Sequence, residues 1–257
     1  MTLLLSSVFS WAASDCPLDS ILTFNIDSVL TEVTVFAYDD AGHTISEVVW
    51  IVNDGSRVGK TKKEDLYEGD TQVMTSTYEW NNTTSKWEGV AKTEYEYSNG
   101  KNTATTVFDW PDDKWSAQSK ETFTYDAAGQ ETEYTTYARN AAGQLEYVKQ
   151  RKKTYNTAGK LILDIQSNYT NGTWVGSFKY VYDYNASGTQ TLYEYYSSFA
   201  NGAWVGSTKW YYEFDAAGNK TLEERYSGMT GGVWKGSSKY TATFNANKKE
   251  TEHINFK

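Results

Sequence analysis

Along residues 178–184 the side chains alternate strictly: Phe178, Tyr180, Tyr182 and Tyr184 fall on one face of an extended strand, and Lys179, Val181 and Asp183 on the other. Thr208, Trp210, Tyr212 and Phe214 repeat the pattern, as do Thr93, Tyr95 and Tyr97. A period of two predicts half-buried β-strands. Turn signals rich in Gly, Asn and Asp interrupt the pattern every 13 to 17 residues or so, which leaves room for strands and none for helices of consequence.

The strands recur as copies of one unit. Lys179-Tyr-Val-Tyr-Asp-Tyr-Asn-Ala-Ser-Gly188 matches Lys209-Trp-Tyr-Tyr-Glu-Phe-Asp-Ala-Ala-Gly218. Asn171-Gly-Thr-Trp-Val-Gly176 matches Asn201-Gly-Ala-Trp-Val-Gly206 and Gly231-Gly-Val-Trp-Lys-Gly236. A first turn recurs at Gly42, Gly69, Gly100, Gly129, Gly159, Gly188 and Gly218, at intervals of 27, 31, 29, 30, 29 and 30 residues. An eighth copy puts Lys248 where Gly is expected, as a degenerate terminal repeat would. In this turn Asp, as in Tyr125-Asp-Ala-Ala-Gly129, accepts backbone hydrogen bonds, and Gly supplies the positive φ of a type I turn with a bulge. The second turn is Asn-Gly or a relative: Asn171-Gly172, Asn201-Gly202, Gly231-Gly232, Pro111-Asp112-Asp113 and Asn140-Ala-Ala-Gly143. Each outgoing strand carries an aromatic at Trp50, Tyr78, Phe108, Tyr137, Tyr196 or Tyr226, and only the Gly159 unit departs, with Ser167. The expected fold is all-β: about eight tandem hairpins of about 30 residues over 34–257, forming an elongated, twisted or superhelical antiparallel sheet with aromatic ladders.

Tyr125-Asp-Ala-Ala-Gly129 and Phe214-Asp-Ala-Ala-Gly-Asn-Lys-Thr221 resemble the YD repeats of Rhs proteins, teneurins and toxin-complex shells. The longer unit with its Gly-x-Trp turn is similar to secreted bacterial hairpin-repeat proteins of unknown function. The resemblance covers about residues 34 to 257. It implies a repeat architecture and brings no catalytic residues with it. The chain departs from YD shells in repeat length and lacks a long array or a toxin cargo domain.

Composition narrows the chemistry. Aromatics reach 16%, with 21 Tyr and 10 Trp, too many for a disordered chain. Only 39% of residues are hydrophobic and mean hydropathy is −0.66, too little for a thick aliphatic core. The net charge is −9, and the Lys60–Lys63 tract runs straight into Glu64 and Asp65, so neither nucleic acid nor an anionic membrane surface is an expected partner. Cys16 is the only cysteine and His43 and His253 the only histidines. Intrachain disulfides are excluded; zinc sites and Cys/His or Ser/His nucleophiles are not expected, nor is any cofactor.

Residues 2–13 are apolar, and Ala12-Ala13-Ser14 offers a cleavage site before Asp15, so residues 1–14 are expected to be a secretory signal, followed by a lead-in over 15–33. The alternative is a first strand packed on the array; no Lys or Arg stands near Met1, and the stretch is too short to span a membrane.

Trp87, Trp115, Trp174, Trp204 and Trp234 follow the second turn, with Leu145 in one matching slot. A row of such rings could stack on a polysaccharide; the competing reading has each Trp folding over its own hairpin to shield the turn. Turn residues Asp39, Asp126 and Asp215 bring one oxygen each, too few for a calcium loop. Glu223 and Glu224, as strand neighbours, face opposite ways and cannot act together as glycosidase acids. No metal or catalytic residue is expected. The sequence thus points to a secreted or surface-exposed, non-catalytic binding module for glycan or surface protein, or else to a structural spacer or fibre subunit whose edges self-associate.

Overall fold

In the computed structural model, residues 19–256 are described, so the expected signal over 1–14 and Cys16 lie outside the described residues. Seventeen antiparallel strands run through them, and the helical content among the described residues is one three-residue 3-10 turn, Pro111–Asp113. The fold is therefore all-β, built from hairpins.

The chain divides into two compact units. Among the described residues, unit 1 comprises 19–121 with 138–146, and unit 2 comprises 122–137 with 147–256. Within unit 1, β1 (Ser20–Phe24), β2 (Leu30–Tyr38), β3 (Thr44–Asn53), β4 (Ser56–Glu68), β5 (Thr71–Asn81), β6 (Lys86–Ser98) and β7 (Lys101–Asp109) each pair with the next in sequence. The division runs through β8 (Ser116–Tyr125), β9 (Glu131–Arg139) and β10 (Leu145–Tyr155). Unit 2 continues in the same way through β11 (Leu161–Thr170), β12 (Thr173–Tyr184), β13 (Gln190–Ala200), β14 (Ala203–Phe214), β15 (Lys220–Thr230), β16 (Val233–Phe244) and β17 (Glu250–Phe256). The lead-in segment supplies β1, which pairs Ser20 with Val35.

The turn chemistry explains the hairpins. At Asp126 the carboxylate oxygen Oδ1 accepts the backbone N–H of Ala128 and of Gln130, each at 2.9 Å, while Gly129 N–H donates to the Asp126 carbonyl. Asp39, Asn140, Asn156, Asp215 and Asn245 repeat both side-chain bonds. Asn140–Gly143, grouped above with the Asn-Gly turns, thus has the hydrogen bonds of the Asp-Ala-Ala-Gly turn. Conversely, Gly69 and Gly100 sit in two-residue loops that join Glu68 to Thr71 and Ser98 to Lys101. In the last such turn Lys248 adopts φ +58°, the left-handed conformation that Gly takes in the earlier copies.

The core is thin. The buried hydrophobic residues are Val33, Ala104, Tyr196 and Ala242, and the polar ones include Asp65, Ser76, Thr135 and Asp164. Asp164, 2% exposed, is held by the Arg151 guanidinium through Nε at 2.8 Å and Nη2 at 2.5 Å. Stability accordingly rests on contacts between successive hairpins, as in other linear arrays.

Candidate functional site

Two aromatic surfaces emerge, one on each face of the strands. The first joins successive hairpins. A β-bulge recurs on each of these second hairpins, where Tyr78 pairs with Gly89, Ser167 with Gly176, Tyr196 with Gly206 and Tyr226 with Gly236. The bare glycine leaves a slot, which a Trp beside the next second turn fills at Gly59, Gly89, Gly176 and Gly206. A Cβ on Gly206 would lie 2.5 Å from the Trp234 ring, and one on Gly176 2.4 Å from Trp204. On Gly89 it would meet Trp110 at 2.4 Å and Trp115 at 2.6 Å, and on Gly59 it would meet Trp80 at 2.7 Å. The indole then meets the earlier unit's aromatic edge-on: Trp234 with Tyr196 at 5.6 Å, Trp115 with Tyr78 at 5.7 Å, and Trp87 with Trp50 at 5.8 Å. In one unit Tyr147 stands in the glycine slot, 5.3 Å from Trp174, and is pushed out to 45% exposure.

Trp87, Trp115, Trp174, Trp204 and Trp234 are all half-buried in this seam. They do form a recurrent series. Trp115, Trp204 and Trp234 lie over a glycine of the preceding unit, whereas at Gly59 that place is taken by Trp80, the cross-strand partner of Trp87, and Trp174 meets Tyr147. The motif Trp-x-Gly, present at Trp87, Trp174, Trp204 and Trp234, was the sequence signal for this contact.

Charges stitch the same face. Lys179 lies 3.7 Å from the centroid of Tyr196, its cross-strand partner, and 5.5 Å from that of Trp204. Burial there pushes its ammonium below the ordinary lysine range, against the pull of Glu194. Glu194 accepts the Tyr196 hydroxyl at 2.7 Å and pairs with Lys209 at 3.1 Å. Glu224 does the same with Tyr226 at 2.7 Å and Lys239 at 2.8 Å, which lowers its own pKa, and its hydrogen bond raises the Tyr226 phenol to about 12.

The second surface lies on the opposite face of unit 2, because Tyr180 pairs with Tyr195 while its neighbour Lys179 pairs with Tyr196. Register builds one continuous cross-strand row, Tyr182–Tyr193–Trp210–Arg225–Ser238. Ring centroids are 5.8 Å apart between Tyr182 and Tyr193, and 5.2 Å between Tyr193 and Trp210. Tyr180 and Tyr195 stack beside them at 4.9 Å and 20°. Trp210 is 38% exposed, and the Arg225 guanidinium carbon sits 5.7 Å from its ring centroid. Burial pushes the Tyr182 phenol up to about 12.

The next row, Tyr212–Glu223–Tyr240–Asn255, flanks the first. At the β15–β17 end a cavity of about 240 Å³ is lined by Glu223, Arg225, Ser238, Tyr240 and Asn255 of these rows, together with Lys239 and Phe256 from the alternate strand positions. Glu223 accepts from Lys220 and from Arg225 Nε, the latter at 2.6 Å, and Lys220 is the main cause of its lowered pKa. Tyr240 donates its hydroxyl to Glu250 at 2.9 Å. The site thus presents flat rings, then paired charges and amide and hydroxyl groups. Strand alternation found Tyr182 and Trp210, but the row became visible only once register was fixed.

Both histidines are paired with carboxylates. His43 is stacked on Tyr67 at 4.4 Å, with Nδ1 2.8 Å from Asp39 and Nε2 3.3 Å from Asp70, which raises its pKa. His253 Nδ1 lies 2.7 Å from Glu250. Glu223 pairs with Tyr240 and Glu224 with Lys239, on opposite faces. Among the described residues no helix is long and apolar enough to cross a membrane.

No family model matches the chain, and no curated protein matches it. Among solved structures it is similar to a protein of unknown function from Bacteroides fragilis, at 18% identity and TM-score 0.33, covering 47% of this chain and 91% of that one. It is also similar to a DUF3836 family protein from Bacteroides vulgatus, at 16% and 0.29, covering 34% and 90%. A third is the TcdB2–TccC3–Cdc42 structure, at 10% and 0.37, covering 90% of this chain and 12% of that one. Likenesses this slight carry no argument, and the functional reading stands on the geometry.

Proposed function

We infer that the chain is a non-catalytic binding module, exported and displayed outside the cell, that engages glycan or protein through the ring row on unit 2. The observation that carries this is the Tyr182–Tyr193–Trp210 row. These rings are packed side by side, partly open to solvent, and take no part in the seam that joins the hairpins. Trp210 is the most open ring of the row, at 38% exposure, whereas Trp234 sits half-buried against Gly206 of the preceding unit. Flat, rigid rings give contact area at small entropic cost, which suits recognition. The apolar stretch over 2–13 supports export. Engagement of both histidines and of Glu223 and Glu224 in structural pairs favours binding over catalysis.

The test is binding of the full chain to extracted surface polymers and proteins, read by the thermal midpoint and by tryptophan emission, with Trp210→Ala alongside. Binding lost in that variant supports the reading, whereas binding indifferent to it, or none, removes it. The interlocked seam supports a second reading, a spacer whose repeat number sets its length, with the outer side of β17 as the edge that pairs with a neighbouring chain. Concentration-dependent filaments in electron micrographs would favour the spacer.

A further inference from the structure

We propose that the ligand of the ring row is a neutral, hydroxyl-rich glycan chain laid across the strands, with one sugar seated in the Glu223–Arg225–Asn255 cavity; this rests on the binding-module reading. Sugar rings offer a flat C–H face to aromatics and a rim of hydroxyls to polar groups. The surface has that order of parts. Three rings occupy successive cross-strand positions, Tyr182, Tyr193 and Trp210, tilted by 56° and 37° to one another, and the same register continues into Arg225 and Ser238.

At its end the cavity of about 240 Å³ has room for a single sugar unit and sits just below the usual size for drug-like ligands. Its lining mixes acceptors and donors at short range: the Glu223 carboxylate, the Arg225 guanidinium, the Ser238 hydroxyl and the Asn255 amide. A carboxylate beside a guanidinium takes and gives hydrogen bonds to neighbouring hydroxyls.

Charge selects the class of glycan. Of the two cations in the lining, Arg225 is committed to Glu223 and Lys239 to Glu224, and Lys220 beside the cavity is also held by Glu223, so each cation there already has a carboxylate partner. The chain as a whole carries −9. A polyanion finds no uncompensated cation there and meets long-range repulsion.

The experiment is native affinity electrophoresis of the full chain through gels containing neutral polymers (β-glucan, mannan, starch) or acidic ones (polygalacturonate, alginate). Retardation is expected in a neutral gel, weakened about tenfold or more by Trp210→Ala and restored in large part by Trp210→Phe. Glu223→Gln should weaken it about threefold or more, by loss of one charged hydrogen bond. Retardation by acidic polymers alone, or by neutral ones regardless of Trp210→Ala, overturns the proposal. If no neutral gel retards the chain but a protein partner is lost in Trp210→Ala, the glycan inference falls and the binding-module reading stands; if nothing binds, both fall.

Discussion

A methyl group added at Gly206 meets the Trp234 ring at 2.5 Å, whereas one added at Gly236 meets nothing within 4 Å. Gly206→Ala is therefore expected to lower stability by about 1–3 kcal/mol through overpacking, and Gly236→Ala by far less. Urea denaturation of the two variants decides it, and equal losses would mean that the glycine slot is not what the indole needs. The tyrosines carry a pH dependence. Tyr182 and Tyr226 are held up to about 12 in the fold, against about 10 for a free phenol. A raised folded-state pKa means that the fold favours the protonated ring. Its contribution is complete below pH 10 and lost as pH climbs through about 12. Tyrosinate absorbance should accordingly rise in two stages, the later one coinciding with loss of the fold.

Hairpins follow from a few residues each, and here the sequence was most readable. Asp126, Asp215 and their Asn counterparts form the turn bonds that their position implied, and the alternation of Tyr180 and Tyr182 with Val181 set the strand faces correctly. Bulges were the blind spot. Trp204 and Lys209 are five residues apart, so strict alternation puts them on opposite faces; the extra residue at the Gly206 bulge brings both onto the seam face. Alternation counts residues, and a bulge changes the count without changing the composition. For the same reason the glycine partners of Trp115, Trp204 and Trp234, each in the preceding hairpin, were hidden, although Trp-x-Gly recurs in plain view. In the last turn, Lys248 occupies a left-handed position at φ +58°. Lys248→Gly should stabilise the β16–β17 hairpin by about 1 kcal/mol, with slower amide exchange in β17 as the measurement. Unchanged exchange would show the strain to be absent.

Among the described residues, strand pairing within each unit runs between strands that follow one another in sequence. Excising residues 189–218 removes one period and joins Gly188 to Asn219, re-creating the Gly218–Asn219 junction. The shortened chain is expected to fold, with a β-type circular dichroism spectrum and a lower urea midpoint. A chain left disordered by that excision would show that cohesion is global rather than passed from neighbour to neighbour. The composition had foreshadowed this economy: with 39% hydrophobic residues there is no thick core to share, and rings laid on glycines take its place.

The indole always belongs to the later hairpin and the glycine to the earlier one, so the array has a direction. During synthesis the socket at Gly206 leaves the ribosome 28 residues before Trp234, its plug. At ~5–20 residues per second that is a wait of roughly 1–6 s, after which each newly made hairpin locks its predecessor in place. Assembly that follows this order advances with translation like a ratchet, and the socket still waiting for its plug is the one most recently made.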